Sequence, residues 1–316
     1  MRASVFLVAI LFFFIGCFRS TVDKNTITIF HAGSLLVPLN AIADSFKRYN
    51  PEVTFNLEAA GSVESARKIT DLNRQCDLFF SADYQVINRL LFTNHADFVI
   101  PFSGNRMVIA FTPKSKFANV IDSLNWTSIL LNPKVTHGRS DPNSDPCGYR
   151  TVLVLQLAEK YYGKKGFADS LLTQNIQFIR PKEVDLLTLL ETGAIDYLFI
   201  YESVAKQHGL QCIKLPDSVN LGNFSLASHY STVQVKIRGR SPNDSITIVG
   251  EPIVYAFTIP KNAPNPQLAL GFAKYFLTDT GGMRVITQIG QQPLVPFNSI
   301  GCGSIPDSLK AFMSNN

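Results

Sequence analysis

Apolar positions recur with two different periods along this chain, and the switches between them predict its elements. Residues 26–31 (TITIFH) alternate with a period of two, as a strand does, and the small turn AGS follows. Leu35, Leu39, Ile42 and Phe46 then recur at helical spacing until Asn50-Pro51 ends the run. The succession repeats with strand VTFNLEA, a second turn AGS and a helix from about 63 to 72. The short apolar strand CDLFFSAD and a helix through Leu91 repeat it again. Successive β-turn-α units of this kind imply parallel strands with helices on the sheet faces.

RMVIAFT (106–112) opens a second series. Strand KVTHGRS leads through the turn SDPNSDPCG into a helix over 149–162, and strand IQFIR leads into a helix over 182–192. Strand DYLFIY is followed by a helix over 202–207. GEPIVYAFTIPKNA reads as one long strand, and helices at about 265–277 and 280–289 close the pattern. The expected architecture is therefore α/β. It has two lobes joined by crossings near 106 and 252, with a cleft between them. Residues 26–107 and 252–306 form the first lobe and 108–251 the second.

The length of 316 residues is sufficient for two lobes, each with its own core. A hydrophobic content of 46% with 17% charge excludes a disordered or fibrous chain. The net charge of +5 is spread without a like-charge block or a basic-aromatic stretch, so nucleic acid is not an expected partner. At the N-terminus, Arg2 precedes a largely apolar run from Ala3 to Ile15, a signal-peptide pattern over 1–16 that is short for a membrane span. Phe14-Ile15-Gly16-Cys17 is similar to a lipoprotein processing site, with Cys17 as the lipidated first residue of an exported, membrane-anchored chain; ordinary signal cleavage nearby is the alternative. Cys76, Cys147, Cys212 and Cys302 form no CxxC pair and are expected to be mostly free thiols.

The candidate chemistry lies where strands end and helices begin. His31-Ala32-Gly33-Ser34, Ala60-Gly61-Ser62 and Asp145-Pro146-Cys147-Gly148 are such turns, and free N–H groups at helix starts attract anions. In open α/β sheets, ligands gather at the carboxyl ends of strands, where these turns fall. Each residue also has a plainer use: Ser34, Ser62 and Asp145 as helix caps, Glu183 as an exposed first-turn acid, Tyr201 as core or rim, and His31 as a satisfied strand-end histidine. Arg150 could lend positive potential or pair with Asp141. No P-loop, dinucleotide fingerprint, zinc-protease or hydrolase-elbow motif occurs. Asp141-Pro-Asn143-Ser-Asp145 begins like a calcium loop, but Pro146 and Val152 stand where its glycine and bidentate glutamate belong.

HAGSL (31–35), EAAGS (58–62), SDPNSDPCGYR (140–150), IRPKEVDLL (179–187), ETGAIDYLFIYESVAKQHGL (191–210) and PIVYAFTIPKNA (252–263) together resemble the tungstate/molybdate-binding proteins of ABC importers. The resemblance runs from about Thr26 to Pro306. It implies a type II periplasmic-binding-protein fold, capture of tungstate or molybdate without catalysis or a cofactor, and delivery to a membrane permease by a monomer. Matched residue by residue, it implies oxyanion contacts from Gly33, Ser34, Ser62, Pro146, Cys147 and Tyr201. Asp145 and Glu183 would bond to the metal centre of a six-coordinate guest.

Carboxylates in an anion site need a reason. At about 4 Å, a carboxylate and a dianion repel by roughly 8 kcal/mol at an effective dielectric near 20, more than a few hydrogen bonds to charged groups return. The pair is tolerable when its oxygens bond to a hard metal centre able to accept further ligands, which tungsten and molybdenum are and the sulfur of sulfate is not. Two alternatives stand beside this reading. One is a binder of another oxyanion such as sulfate; the other is a two-carboxylate hydrolase using Asp145 and Glu183 as acid and base.

Overall fold

The computed structural model describes residues 23–239, 243–298 and 305–314. The signal pattern, Cys17 and Cys302 lie outside them. Thirteen strands among the described residues fall into two main sheets and a ribbon. In chain order they are β1 (Thr26–Ala32), β2 (Thr54–Ala60), β3 (Leu78–Ser81), β4 (Ile100–Asn105), β5 (Met107–Phe111), β6 (His137–Ser140), β7 (Ile179–Arg180), β8 (Tyr197–Tyr201), β9 (Gln211–Lys214), β10 (Gln234–Arg238), β11 (Ser245–Val249), β12 (Ile253–Thr258) and β13 (Gln292–Pro293).

The first sheet has the order β13-β4-β12-β3-β1-β2, and the second β7-β6-β8-β5-β9. The successive β-α units give parallel pairing of β1 with β2 and β3, with Ile29 opposite both Leu57 and Leu78. Both sheets are nevertheless mixed: β12 runs antiparallel to β3 and β4, and β5 antiparallel to β8 and β9. β4 in the first sheet and β5 in the second are separated only by Arg106, and the chain returns through Gly250-Glu251-Pro252 into β12. The cores are apolar on both sides of the sheets, with Phe30, Phe79, Phe80 and Phe257 buried in one lobe and Phe199, Tyr197 and Trp126 in the other.

Several expectations are revised. The long strand over 250–263 is the six-residue β12, framed by Pro252 and Pro260, which cannot donate to a ladder. IQFIR pairs only at Ile179–Arg180, because residues 176–178 wind into a 3-10 turn with no buried side chain. The helix over 182–192 is a 3-10 turn, Glu183–Leu186, continued by Leu187–Glu191. The β10–β11 ribbon, β9 and the helix Phe167–Thr173 have no counterpart in the sequence reading. Cys76, Cys147 and Cys212 are free thiols.

Candidate functional site

The two lobes meet at the predicted turns. The turn before the helix Ser62–Thr70 touches the turn before the helix Pro146–Tyr162: Glu64 N–H donates to Ser144 O at 3.2 Å. A Cβ on Gly61 would lie 2.2 Å from that same carbonyl oxygen, so only glycine permits this approach. Gly33 faces Glu183 in the same way: its missing Cβ would stand 3.4 Å from Glu183 Oε2 and 3.0 Å from Val184.

Asp145 and Glu183 are each only 1% exposed. Asp145 occupies the N-cap place of its helix, with Pro146 at the first helical position, yet its carboxylate makes no capping bond. Its Oδ2 instead accepts from the backbone N–H of Glu183 at 3.2 Å. Both oxygens of Glu183 are buried without a hydrogen-bond partner. Desolvation pushes the Glu183 carboxyl well above its ordinary pKa, and the charge of Asp145 beside it pushes the same way. Desolvation also raises Asp145, against the lowering effect of the Glu183 N–H that it accepts. The plain reading of Glu183 as an exposed first-turn acid is overturned, because the 3-10 turn aims it into the interlobe contact.

The predicted hydroxyls are each held by a bond of their own. Ser34 Oγ accepts from the Tyr255 hydroxyl at 2.9 Å, and Ser62 Oγ accepts from Ala82 N–H at 3.0 Å. Neither serine caps its helix. Tyr201, fully buried at the end of β8, accepts from Arg150 Nη1 at 2.9 Å. The Cys147 thiol points away, towards Phe199 O at 3.7 Å, leaving its backbone at the helix start. The structure brings Gly33 against Glu183 and Asp145 against the Gly61-Ser62 turn across the lobes, and ties Tyr201 to Ala82 of the first lobe through Arg150. His31 is only half satisfied: Nδ1 lies 2.8 Å from Ala32 O, Nε2 has no partner, and burial lowers its pKa to about 4.

Two neighbours, Tyr255 and Ser140, were missed by sequence reasoning, and a third, Arg150, has a different partner from the one considered. Tyr255 lies mid-strand in an apolar run, where nothing local marks it as polar in role. Ser140, whose buried Oγ has no partner, ends a short strand. Arg150 pairs with Asp83, not Asp141, at 3.2 Å. A basic residue inside an otherwise apolar helix, TVLVLQLAEKYY following Tyr149-Arg150, was the only signal available.

Residues 27–285 match the sequence profile described as bacterial extracellular solute-binding protein. The chain belongs to that family. This solute-binding protein is 43% identical over 291 residues to an uncharacterised solute-binding protein of Petrotoga mobilis, covering 91% of this chain and 89% of the relative. It is 40% identical over 338 residues to the molybdate/tungstate-binding protein of Pyrococcus abyssi, covering 96% of both. Its fold is shared by the periplasmic molybdate-binding protein of Azotobacter vinelandii, with a TM-score of 0.61 and 17% identity over 84% of this chain and 98% of that one. The periplasmic-binding-protein fold expected from the sequence is therefore present. Membership of an extracellular family places the solute-binding protein outside the cytoplasm. Among the described residues no helix is long and apolar enough to cross a membrane.

Proposed function

We propose that this solute-binding protein captures tungstate or molybdate outside the cytoplasm and delivers it to the membrane permease of an ABC importer. One observation carries the reading: Glu183 keeps two buried, unpartnered carboxylate oxygens beside the carboxyl of Asp145. The basic residues Arg150 and Lys182 are paired elsewhere, with Asp83 and Asp185. Such an arrangement penalises sulfate and phosphate, and suits a guest whose metal accepts oxygen donors. Among the described residues no three His, Cys, Asp or Glu side chains are grouped to hold a bare cation, so the remaining ligands are the oxygens of the guest. The 40% identical molybdate/tungstate-binding relative supports the same choice.

In this reading, Asp145 and Glu183 complete a six-oxygen shell around the metal. Gly33, Ser34, Ser62, Pro146, Cys147 and Tyr201 line the oxo groups, with N–H and O–H donors among them. The lobes 26–107 with 252–306 and 108–251 close over the guest about the crossings at Arg106 and Gly250–Pro252. The protein performs no catalysis, works as a monomer, and is held to the membrane by a lipid on Cys17.

The test is a thermal-shift and titration panel of tungstate, molybdate, sulfate and phosphate, joined to X-ray absorption at the tungsten edge. At a thousand times Kd, tungstate or molybdate stabilises by about 4 kcal/mol, several degrees for a chain of this size. The absorption spectrum gives six oxygen neighbours. Equal stabilisation by sulfate, or a four-oxygen tungsten shell, defeats the proposal.

A further inference from the structure

Arg150 is 2% exposed and belongs to the helix Pro146–Tyr162 of the second lobe. Its Nη1 donates to Ala82 O at 2.7 Å and to the Tyr201 hydroxyl oxygen at 2.9 Å, and its Nη2 lies 3.2 Å from Asp83 Oδ2. Tyr149 donates to the same Asp83 oxygen. Ala82 and Asp83 follow β3 in the first lobe, whereas Tyr201 ends β8 in the second. One guanidinium therefore spans the cleft and is held by acceptors on both sides. Lysine has no planar fork with which to meet all three acceptors at once.

A tyrosine hydroxyl has one hydrogen to give. Arg150, a permanent donor, occupies the acceptor side of Tyr201, so the hydrogen of Tyr201 must point elsewhere. Among the described residues it is given to no acceptor. The same device sets the two serines: Ser62 accepts from Ala82 N–H, and Ser34 accepts from Tyr255. The backbone of Ala82 thus serves hydroxyls of both lobes, through its N–H to Ser62 and through its carbonyl oxygen, by way of Arg150, to Tyr201.

We propose that Arg150 is a positioning residue of the anion site: fixed across the cleft by Ala82 and Asp83, it commits the Tyr201 hydroxyl to donate to an oxygen of the guest. This rests on the oxyanion-capture reading of the site. The commitment holds only when the lobes meet, because Ala82 and Asp83 anchor the guanidinium from the opposite lobe. Arg150 thereby links closure to the readiness of a donor on Tyr201.

The experiment is a double-mutant cycle read by isothermal titration with tungstate, using wild type, Arg150→Lys, Tyr201→Phe and the double variant, with circular dichroism melts to confirm folding. Arg150→Lys is expected to weaken binding about tenfold or more when Tyr201 is present, and less than about threefold when it is Phe. An equal loss in both backgrounds means a general structural role and overturns the proposal, as does no loss in either. Should Arg150→Lys not fold, Arg150→Gln takes its place with the same criterion. Absence of tungstate binding by the wild type defeats the capture reading itself, before the cycle is consulted.

Discussion

The backbone N–H of Glu183 donates to the carboxylate of Asp145 at 3.2 Å, so the residue carrying the second acid also fixes the first. The two stand in different turns of the same lobe, 38 residues apart. Their side chains face Gly33 and Gly61 of the other lobe. The arrangement buries two acids at the contact between lobes.

Glu183→Gln keeps the shape and removes the ionisable oxygen. Tungstate affinity is expected to fall at least roughly 100-fold, about 2.7 kcal/mol, while sulfate binding stays the same or tightens. Titration of both anions checks it. A parallel loss for the two would mean a damaged site in place of a lost metal ligand.

The raised carboxyls make stability depend on pH with a definite sign. Unfolded, Asp145 and Glu183 titrate near their ordinary values of 3.8 and 4.5; folded, both titrate higher. The ligand-free fold therefore binds more protons than the unfolded chain in the interval between. Its stabilising contribution is complete below the unfolded values and is lost as pH rises through the folded ones. Metal ligation requires both acids ionised, so tungstate capture releases protons and tightens with rising pH over the same interval. Calorimetry in buffers of different ionisation heat counts those protons, and net uptake would contradict the assignment.

Gly61→Ala and Gly148→Ala separate closure from folding. Gly61 has φ −60° and ψ 142°, which any residue adopts, so alanine there strains the meeting with Ser144 and Asp145 of the other lobe and not its own backbone. Tungstate affinity should drop tenfold or more, and X-ray scattering should show the liganded protein failing to contract, with little change in the ligand-free melting temperature. At Gly148 the added Cβ would lie 2.5 Å from Ser140 O and 2.6 Å from Asp141 C, within one lobe. Overpacking there costs about 1–3 kcal/mol, and the gain in helix propensity of at most about 1 kcal/mol does not offset it. The ligand-free melting temperature should fall.

Cys147→Ala tests whether this residue acts through its backbone. The thiol faces Phe199 O, and burial pushes its pKa well above the ordinary value. Affinity should stay within about threefold of wild type, and the native thiol should resist alkylation while the half-buried Cys212 reacts. Mass spectrometry after iodoacetamide treatment reads both.

Much of the site was legible because its signals are local. Gly33-Ser34, Gly61-Ser62 and Asp145-Pro146-Cys147 each follow a strand and open a helix, and the parallel β1–β3 core follows from the hydrophobic period alone. The β10–β11 ribbon left no comparable mark. Its strands are half exposed, and its packing against Val63, Val86 and Tyr149 brings together segments distant in sequence. Tyr255 was equally hidden, since its partner Ser34 lies 221 residues away.

The sequence by itself determined the α/β class, the two lobes and the small turns where strands give way to helices, because strand period, helix period and turn chemistry are properties of neighbouring residues. Only the tertiary structure decided which acids are left without a partner and where Arg150 finds its counter-ion. Asp83 satisfies Arg150 from the other lobe, and among the described residues the Glu183 oxygens have no hydrogen-bond partner; whether a buried acid or base is paired depends on what the fold carries to it across the cleft.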